Sequence, residues 1–191
     1  MIAFSHEHER RAVVTACRMI DTAEESPGLA ALAAEAGMSR FHFHRLFKKV
    51  TGLTPKAYAA ARRAERLRAG LAQSASVTRA IYEAGFNSSA RFYENADEML
   101  GMAPARFRQG GRGERIHFAV GQCSLGAILV AATAKGVCAI QLGDDPDALA
   151  RALQDRFPKA DLVGGEQGFE RLVALVVGLI EAPKPGPDLP L

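Results

Sequence analysis

The sequence predicts a mainly α domain built as a tandem helix-turn-helix, followed by a small α+β domain, and three observations carry that prediction. The pattern Gly, two residues, Pro, two residues, aromatic occurs twice, as "GLTPKAY" from Gly52 and "GMAPARF" from Gly101, forty-nine positions apart. Each copy follows a short helix, a turn and a longer helix: "LAALAAEAGMSRFHFHRLFKKVTG" and "VTRAIYEAGFNSSARFYENADEMLG". Beyond "RQGGRGER" the chain then changes to short apolar, β-branched runs.

In the first copy, Leu29, Leu32 and Ala33 have the i, i+3, i+4 spacing of a helix face, and Gly37 is the left-handed stop. Ser39 is placed to cap the next helix, which should bury Phe43, Leu46, Phe47 and Val50 and end at Gly52. Pro55 opens a linking helix from about Lys56 to Leu71, and Tyr58 turns back onto the core. In the second copy Gly85 is the stop, Asn87 or Ser88 the cap, and Phe92 and Met99 part of the buried stripe of one continuous helix closed by Gly101. Pro104 and Phe107 then repeat the roles of Pro55 and Tyr58. The division expected is 1–110 for the tandem, 111–115 for a glycine-rich linker, 116–182 for the α+β domain and 183–191 for a Pro-rich tail.

A chain of 191 residues, 48% hydrophobic and 24% charged, describes a globular protein with room for two small cores. No run approaches the roughly 18 apolar residues of a membrane helix, and "MIAFSHEHERR" is too charged for a signal peptide, which predicts a cytoplasmic protein without a membrane partner. Cys17, Cys123 and Cys138 form no CxxC pair and read as reduced, mostly buried thiols. Charge is uneven: 16 Lys and Arg face 11 Asp and Glu through Gly110, against 8 and 10 from Gly111 onward. The basic half is the half with the repeats.

On the helix after Ser39, the side away from the apolar stripe carries Arg40, His42, His44, Arg45, Lys48 and Lys49, groups suited to phosphates and base edges. The linking helix adds Arg62, Arg63, Arg66 and Arg68, opposed in sequence only by Glu65. Double-stranded DNA is therefore the expected partner. The linking helix spans roughly 24 Å, and with its turns would hold two reading helices near one duplex turn apart, about 34 Å. His42 and His44 project about 200° apart and cannot share one ion, so no metal site is expected.

Two units joined in this way resemble DNA-binding regulators of the AraC type over residues 8–109. That resemblance implies base contacts by Phe41, His44 and Arg45 of the first reading helix, with Arg45 on guanine and Phe41 on a thymine methyl. For the second it implies Ser89, Ala90, Arg91 and Glu94. Here the chain departs from the pattern, with Glu94 and Ala96-Asp97 where Arg and then Phe-Lys are usual, and Glu94, Asp97 and Glu98 would repel phosphates. The first unit is expected to carry most of the affinity.

The second half reads as strands in "IHFAVGQCSLGAILVAAT" and "VCAIQLG" around a tight turn at Lys135-Gly136. A helix from Pro146, stopped by Pro158, and a second in "FERLVALVVGLIEA" follow. It has no Gly-rich phosphate loop, no Ser/His/Asp spacing and no metal cluster, so no cofactor and no catalytic residue is expected.

The order of the tandem followed by "LGAILVAATAKGVCAIQLGDDPDAL" resembles the Ada-type adaptive-response regulators, which are also methylated-DNA–protein-cysteine methyltransferases. "VTRAIYEAGFNSSARFYENADEMLGMAPARFRQGG" is the most specific part of the resemblance. The four-cysteine zinc module and the Pro-Cys-His-Arg cysteine of that family have no counterpart in these residues. The resemblance thus implies a promoter-binding regulator, with RNA polymerase as a further partner, joined to a ribonuclease-like, non-catalytic domain. Two other readings stand beside it: part of a methyltransferase completed by a separate catalytic domain, and a regulator whose second domain senses a small molecule.

Overall fold

The structure is a computed structural model that describes residues 2–23, 25–165 and 168–182, excepting the side chains of residues 2–6 and of Arg91; the expected Pro-rich tail lies outside the described residues. Helices α1 (Ile2–Thr22), α2 (Leu29–Glu35) and α3 (Arg40–Thr51) form the first unit, and α4 (Pro55–Leu71) leaves it. The second unit comprises α5 (Val77–Glu83), α6 (Ser89–Tyr93), α7 (Ala96–Leu100) and α8 (Pro104–Arg108). Then come β1 (Arg115–Cys123), β2 (Gly126–Thr133), β3 (Gly136–Gly143), α9 (Pro146–Arg156), β4 (Asp161–Gly164) and α10 (Glu170–Glu181). The described residues are thus mostly helical with one four-stranded sheet.

The helix boundaries follow local chemistry. Ser39 Oγ accepts from the His42 N–H at 3.3 Å, Thr54 Oγ1 from Ala57 at 3.1 Å, and Ser76 Oγ from Arg79 at 3.1 Å, each satisfying an orphan donor of a first turn. Gly37 (φ 63°) and Gly52 (φ 77°) take the left-handed conformation that stops a helix, as do Gly85 and Gly101 in the second unit. Val50 is the exception within α3: at 47% exposed it lies outside the core, because the first cluster takes nothing from this helix beyond Phe47.

The second reading helix is two pieces, not the single helix expected. The Asn95 N–H donates to the Phe92 carbonyl, an i→i−3 bond, and Asn95 adopts φ −125°, outside the helical range. Asparagine is a poor interior helix residue because its side chain offers the backbone other partners. The break turns α7 away from α6 and onto the sheet.

Strand order is β3-β2-β1-β4, with β1, β2 and β3 antiparallel and β4 parallel to β1. Residues 161–164 had no strand prediction; four residues at an edge, half-buried, carry too short a pattern to read. Successive side chains of β2 alternate between two layers. Ala127, Leu129 and Ala131 face α7 and α9, while Ile128, Val130 and Ala132 face Val173 and Val176 of α10.

The cores do not divide where the two halves of the sequence do. One belongs to the first unit alone, with Val13, Ile20, Leu32, Phe43, Phe47 and Ala59. Another is continuous from Leu67 and Leu71 of α4, through Ile81, Phe92, Leu100 and Phe107, to Leu129, Cys138, Leu153 and Phe157. The two closing aromatics accordingly differ. Tyr58 stacks edge-on to Phe47 inside its own unit, whereas Phe107 meets Phe157 at 5.2 Å and 89°. Gly110, Gly111 and Gly113 all have positive φ, and a Cβ on Gly111 would lie 2.9 Å from that of Ala160. Lys159 and Asp161 donate backbone bonds to Gly110 and Glu114, so the glycine stretch is a packed corner.

Candidate nucleic-acid interface

Helix α3 buries Phe43, Leu46 and Phe47, and at about 100° per residue the opposite side is an arc of about 60° holding Phe41, Arg45 and Lys48. Phe41 is 82% exposed, an extreme for so large an apolar ring. Arg40, His42 and Lys49 are also exposed and flank the arc. Among the described residues, no side-chain hydrogen bond, ion pair or ring contact engages Arg40, Phe41, His42, Arg45, Lys48 or Lys49. Together they form an uncommitted cationic and aromatic surface on one rigid element, which suits phosphates and base edges.

His44 sits differently. It is half-buried and lines a cavity of about 460 Å³ with Pro27, Pro55, Lys56, Ala59 and Arg63, beside the start of α4. Lys56 was not singled out in the sequence, although a basic residue directly after Pro55 in "TPKAY" marks the entry of α4.

The α4 arginines are not part of any free basic face, contrary to the expectation from their charge. Arg62 donates from Nε to Asp21 at 2.7 Å and from Nη1 to Glu65, and Asp21 also accepts from the Tyr58 hydroxyl at 3.3 Å. Arg63 donates to Ser26 Oγ at 2.8 Å with its guanidinium 5.8 Å from the Phe86 ring. Arg66 donates to the Ala23 carbonyl at 3.0 Å, and Arg68 to the Met99 carbonyl. Their charge holds α4 against α1, the α1–α2 loop and α7. A sequence displays the charge of an arginine but not a carbonyl brought to it by a tertiary turn.

In the second unit, Ala90 and Glu94 are exposed and Ser89 is half-buried; Arg91 lies on α6, and its side chain is outside what is described. Asp97, expected to repel phosphates, is instead neutralised within the chain. Its carboxylate is 2.6 Å from Lys135 Nζ, on the turn between β2 and β3. Thr133 Oγ1 also donates to the Gly101 carbonyl, so α7 is occupied by the hairpin.

Burial disfavours the thiolate at two of the three cysteines. Cys138 is fully buried in β3, and although Arg156 and Arg68 oppose the effect, burial pushes its thiol up to about 12. Cys17 is also raised, by burial first. Cys123 is half-buried against the α10 layer and donates to the Gly126 carbonyl at 3.2 Å. Among the described residues no three His, Cys, Asp or Glu are grouped as a metal site would require, and no helix is long and apolar enough to cross a membrane.

Comparison with known proteins is consistent with this geometry. A family described as "Helix-turn-helix domain" matches residues 32–110. The chain is 43% identical over 190 residues, 99% of its length, to the "Bifunctional transcriptional activator/DNA repair enzyme Ada" of Escherichia coli strain K12, covering 53% of that protein. It is 43% identical over 169 residues, 88% of its length, to the "Regulatory protein ada" of Salmonella typhimurium strain LT2, covering 47% of that one. The chain spans about half the length of the curated relatives it matches.

Proposed function

We propose that the chain, which is similar to Ada over 99% of its own length, is an Ada-like helix-turn-helix regulator that binds promoter DNA, with the exposed face of α3 as its principal reading surface. The observation that carries this reading is a contrast within the basic half: the α4 arginines are engaged inside the fold, while Arg40, Arg45, Lys48 and Lys49 of α3 are not. Arg45 and Phe41 are assigned to base edges, Arg40, His42, Lys48 and Lys49 to phosphates, and His44 to the margin of the contact. Ser89, Ala90, Arg91 and Glu94 offer a shorter second surface, because only the five residues of α6 precede the break. Residues 1–110 are the reading part and 116–182 the companion domain, divided across 111–115.

The companion sheet fits a ribonuclease-like assignment, supported by three antiparallel strands, a helical crossover and a fourth strand parallel to the first. The Escherichia coli relative is described as an activator, and an activating role here would add RNA polymerase as a partner and a cytoplasmic location. Methyl acceptance by Cys17, Cys123 or Cys138 is not part of this reading, since burial favours the protonated thiols of Cys17 and Cys138 and Cys123 is half-buried against α10. Incubation with duplex containing O6-methylguanine followed by intact-mass measurement tests that point, and a stoichiometric methyl gain lost on Cys→Ser substitution would reverse it. DNA binding itself is tested by mobility shift of the full chain against Arg45→Ala and Lys49→Ala. Arg45→Ala is expected to cost on the order of 1–3 kcal/mol and relax preference at one base pair, whereas Lys49→Ala weakens all duplexes alike and lowers the salt slope by about one.

A further inference from the structure

Between α4 and β3 lies a cleft of about 610 Å³, walled by Ala69, Ala72 and Ile140 and containing Arg68, Arg156 and the exposed Glu65. Two guanidinium groups enter it from different parts of the chain. Arg68 donates to the Met99 carbonyl, and its Nε is buried with no acceptor. Arg156 donates to the Arg68 carbonyl at 3.4 Å and stacks 5.2 Å from the Phe107 ring and 5.7 Å from that of Phe157. Among the described residues neither is paired with a carboxylate. Glu65, which also lines the cleft, is held by Arg62 on its own helix.

This arrangement is electrostatically incomplete. Both guanidiniums are held below the usual arginine range by burial, and Arg68 further by the like charge of Arg156, a shift that Glu65 in the same cleft only partly opposes. Two cations sharing a half-buried, alanine-walled cleft repel one another in a medium that screens less than water. Planar guanidinium forks are the donors best matched to tetrahedral oxyanions. An anion between them would replace a repulsion by charge-assisted bonds.

We propose that this cleft is an anion site, in which Arg68 and Arg156 bind a phosphate-class oxyanion and thereby clamp the linking helix to the sheet. The phosphate comes either from a small free anion or from a DNA backbone, and the two sources share one recognition chemistry. Thermal unfolding of the full chain, with inorganic phosphate replacing chloride at fixed ionic strength, should show a saturable Tm rise of about 2–4 °C. Arg156→Gln should lose that rise, and so should Ala69→Glu, an exposed position on the cleft wall where a carboxylate can take the place of the anion. Ala69→Glu should also be more stable than the parent in chloride, which separates occupancy of the cleft from damage to the fold. Arg115→Gln, at an exposed pair with Asp161, should keep the full increment. DNA affinity unchanged in Ala69→Glu assigns the site to a free anion, and affinity lowered assigns it to a backbone phosphate. No increment over chloride, or an equal increment in the parent, Arg156→Gln and Ala69→Glu, would overturn the proposal.

Discussion

A Cβ on Gly101 would stand 2.6 Å from the carbonyl oxygen of Gly136, whereas one on Gly52, its counterpart in the first unit, would meet nothing within 4 Å. Both glycines stop a helix with positive φ, but only Gly101 is also the contact point between α7 and the β2–β3 hairpin. Gly52→Ala should therefore cost on the order of 1–2 kcal/mol for the left-handed conformation alone. Gly101→Ala should cost clearly more, because the obstruction is backbone on both sides. Urea denaturation of the two variants checks the order, and equal losses would contradict the docking of α7 on the hairpin.

Phe157→Ala should act at a distance along the chain. Phe157 is buried against Phe107, so its removal opens a cavity in the core shared by the second unit and the sheet, at about 3–5 kcal/mol. Amide exchange should quicken in α5 and α8 while α2 and α3 keep their protection, because their core is separate. Uniform loss across all helices would mean that the two cores are coupled.

Arg62→Ala is expected to lower stability by about 1 kcal/mol, a figure reduced by the exposure of the Asp21 pair. Its DNA salt slope should equal that of the parent, since this guanidinium is committed to Asp21 and Glu65. A slope lower by about one would place Arg62 on a phosphate instead.

Alkaline pH should destabilise the fold through two protonated groups. Burial lifts Cys138 from 9.0 to about 12, and Tyr58 from 10.0 to about 12, with Cys17 and Asp21 adding to the latter. A raised folded pKa contributes stability that is full below the unfolded value and lost as pH climbs toward the folded one. Stability from Cys138 should thus decline between about pH 9 and 12, and urea midpoints at pH 8 and pH 10.5 should differ more in the parent than in Cys138→Ala. An identical pH dependence in both would show that the thiol ionises freely in the native state.

What could be read in the sequence was local. Ser39 and Gly37 bracket a turn by their own side-chain and backbone chemistry, and the spacing of Phe43, Leu46 and Phe47 fixes which side of α3 remains outside. Features settled by distant partners were not legible. Arg63 and Arg66 look alike in "ARRAER" whether they face solvent or, as here, Ser26 and Ala23. The break at Asn95 falls in an uninterrupted helical pattern, and Asp97 finds Lys135 only because α7 turns there. The glycines of "QGGRG" read as a linker, and positive φ at Gly110 and Gly111 is what lets that stretch pack on Pro158 and Ala160.

The most direct measurement begins with duplexes selected by the full chain from a randomised pool, followed by binding of Phe41→Ala, Arg45→Ala and Glu94→Ala to the selected site and to a scrambled one. If α3 is the principal reading surface, Phe41→Ala and Arg45→Ala each lose roughly ten-fold or more on the selected site with much smaller loss on the scrambled one. Glu94→Ala should then change the ratio little. A ratio preserved in both α3 variants and collapsed by Glu94→Ala would place sequence reading in the second unit and contradict the account.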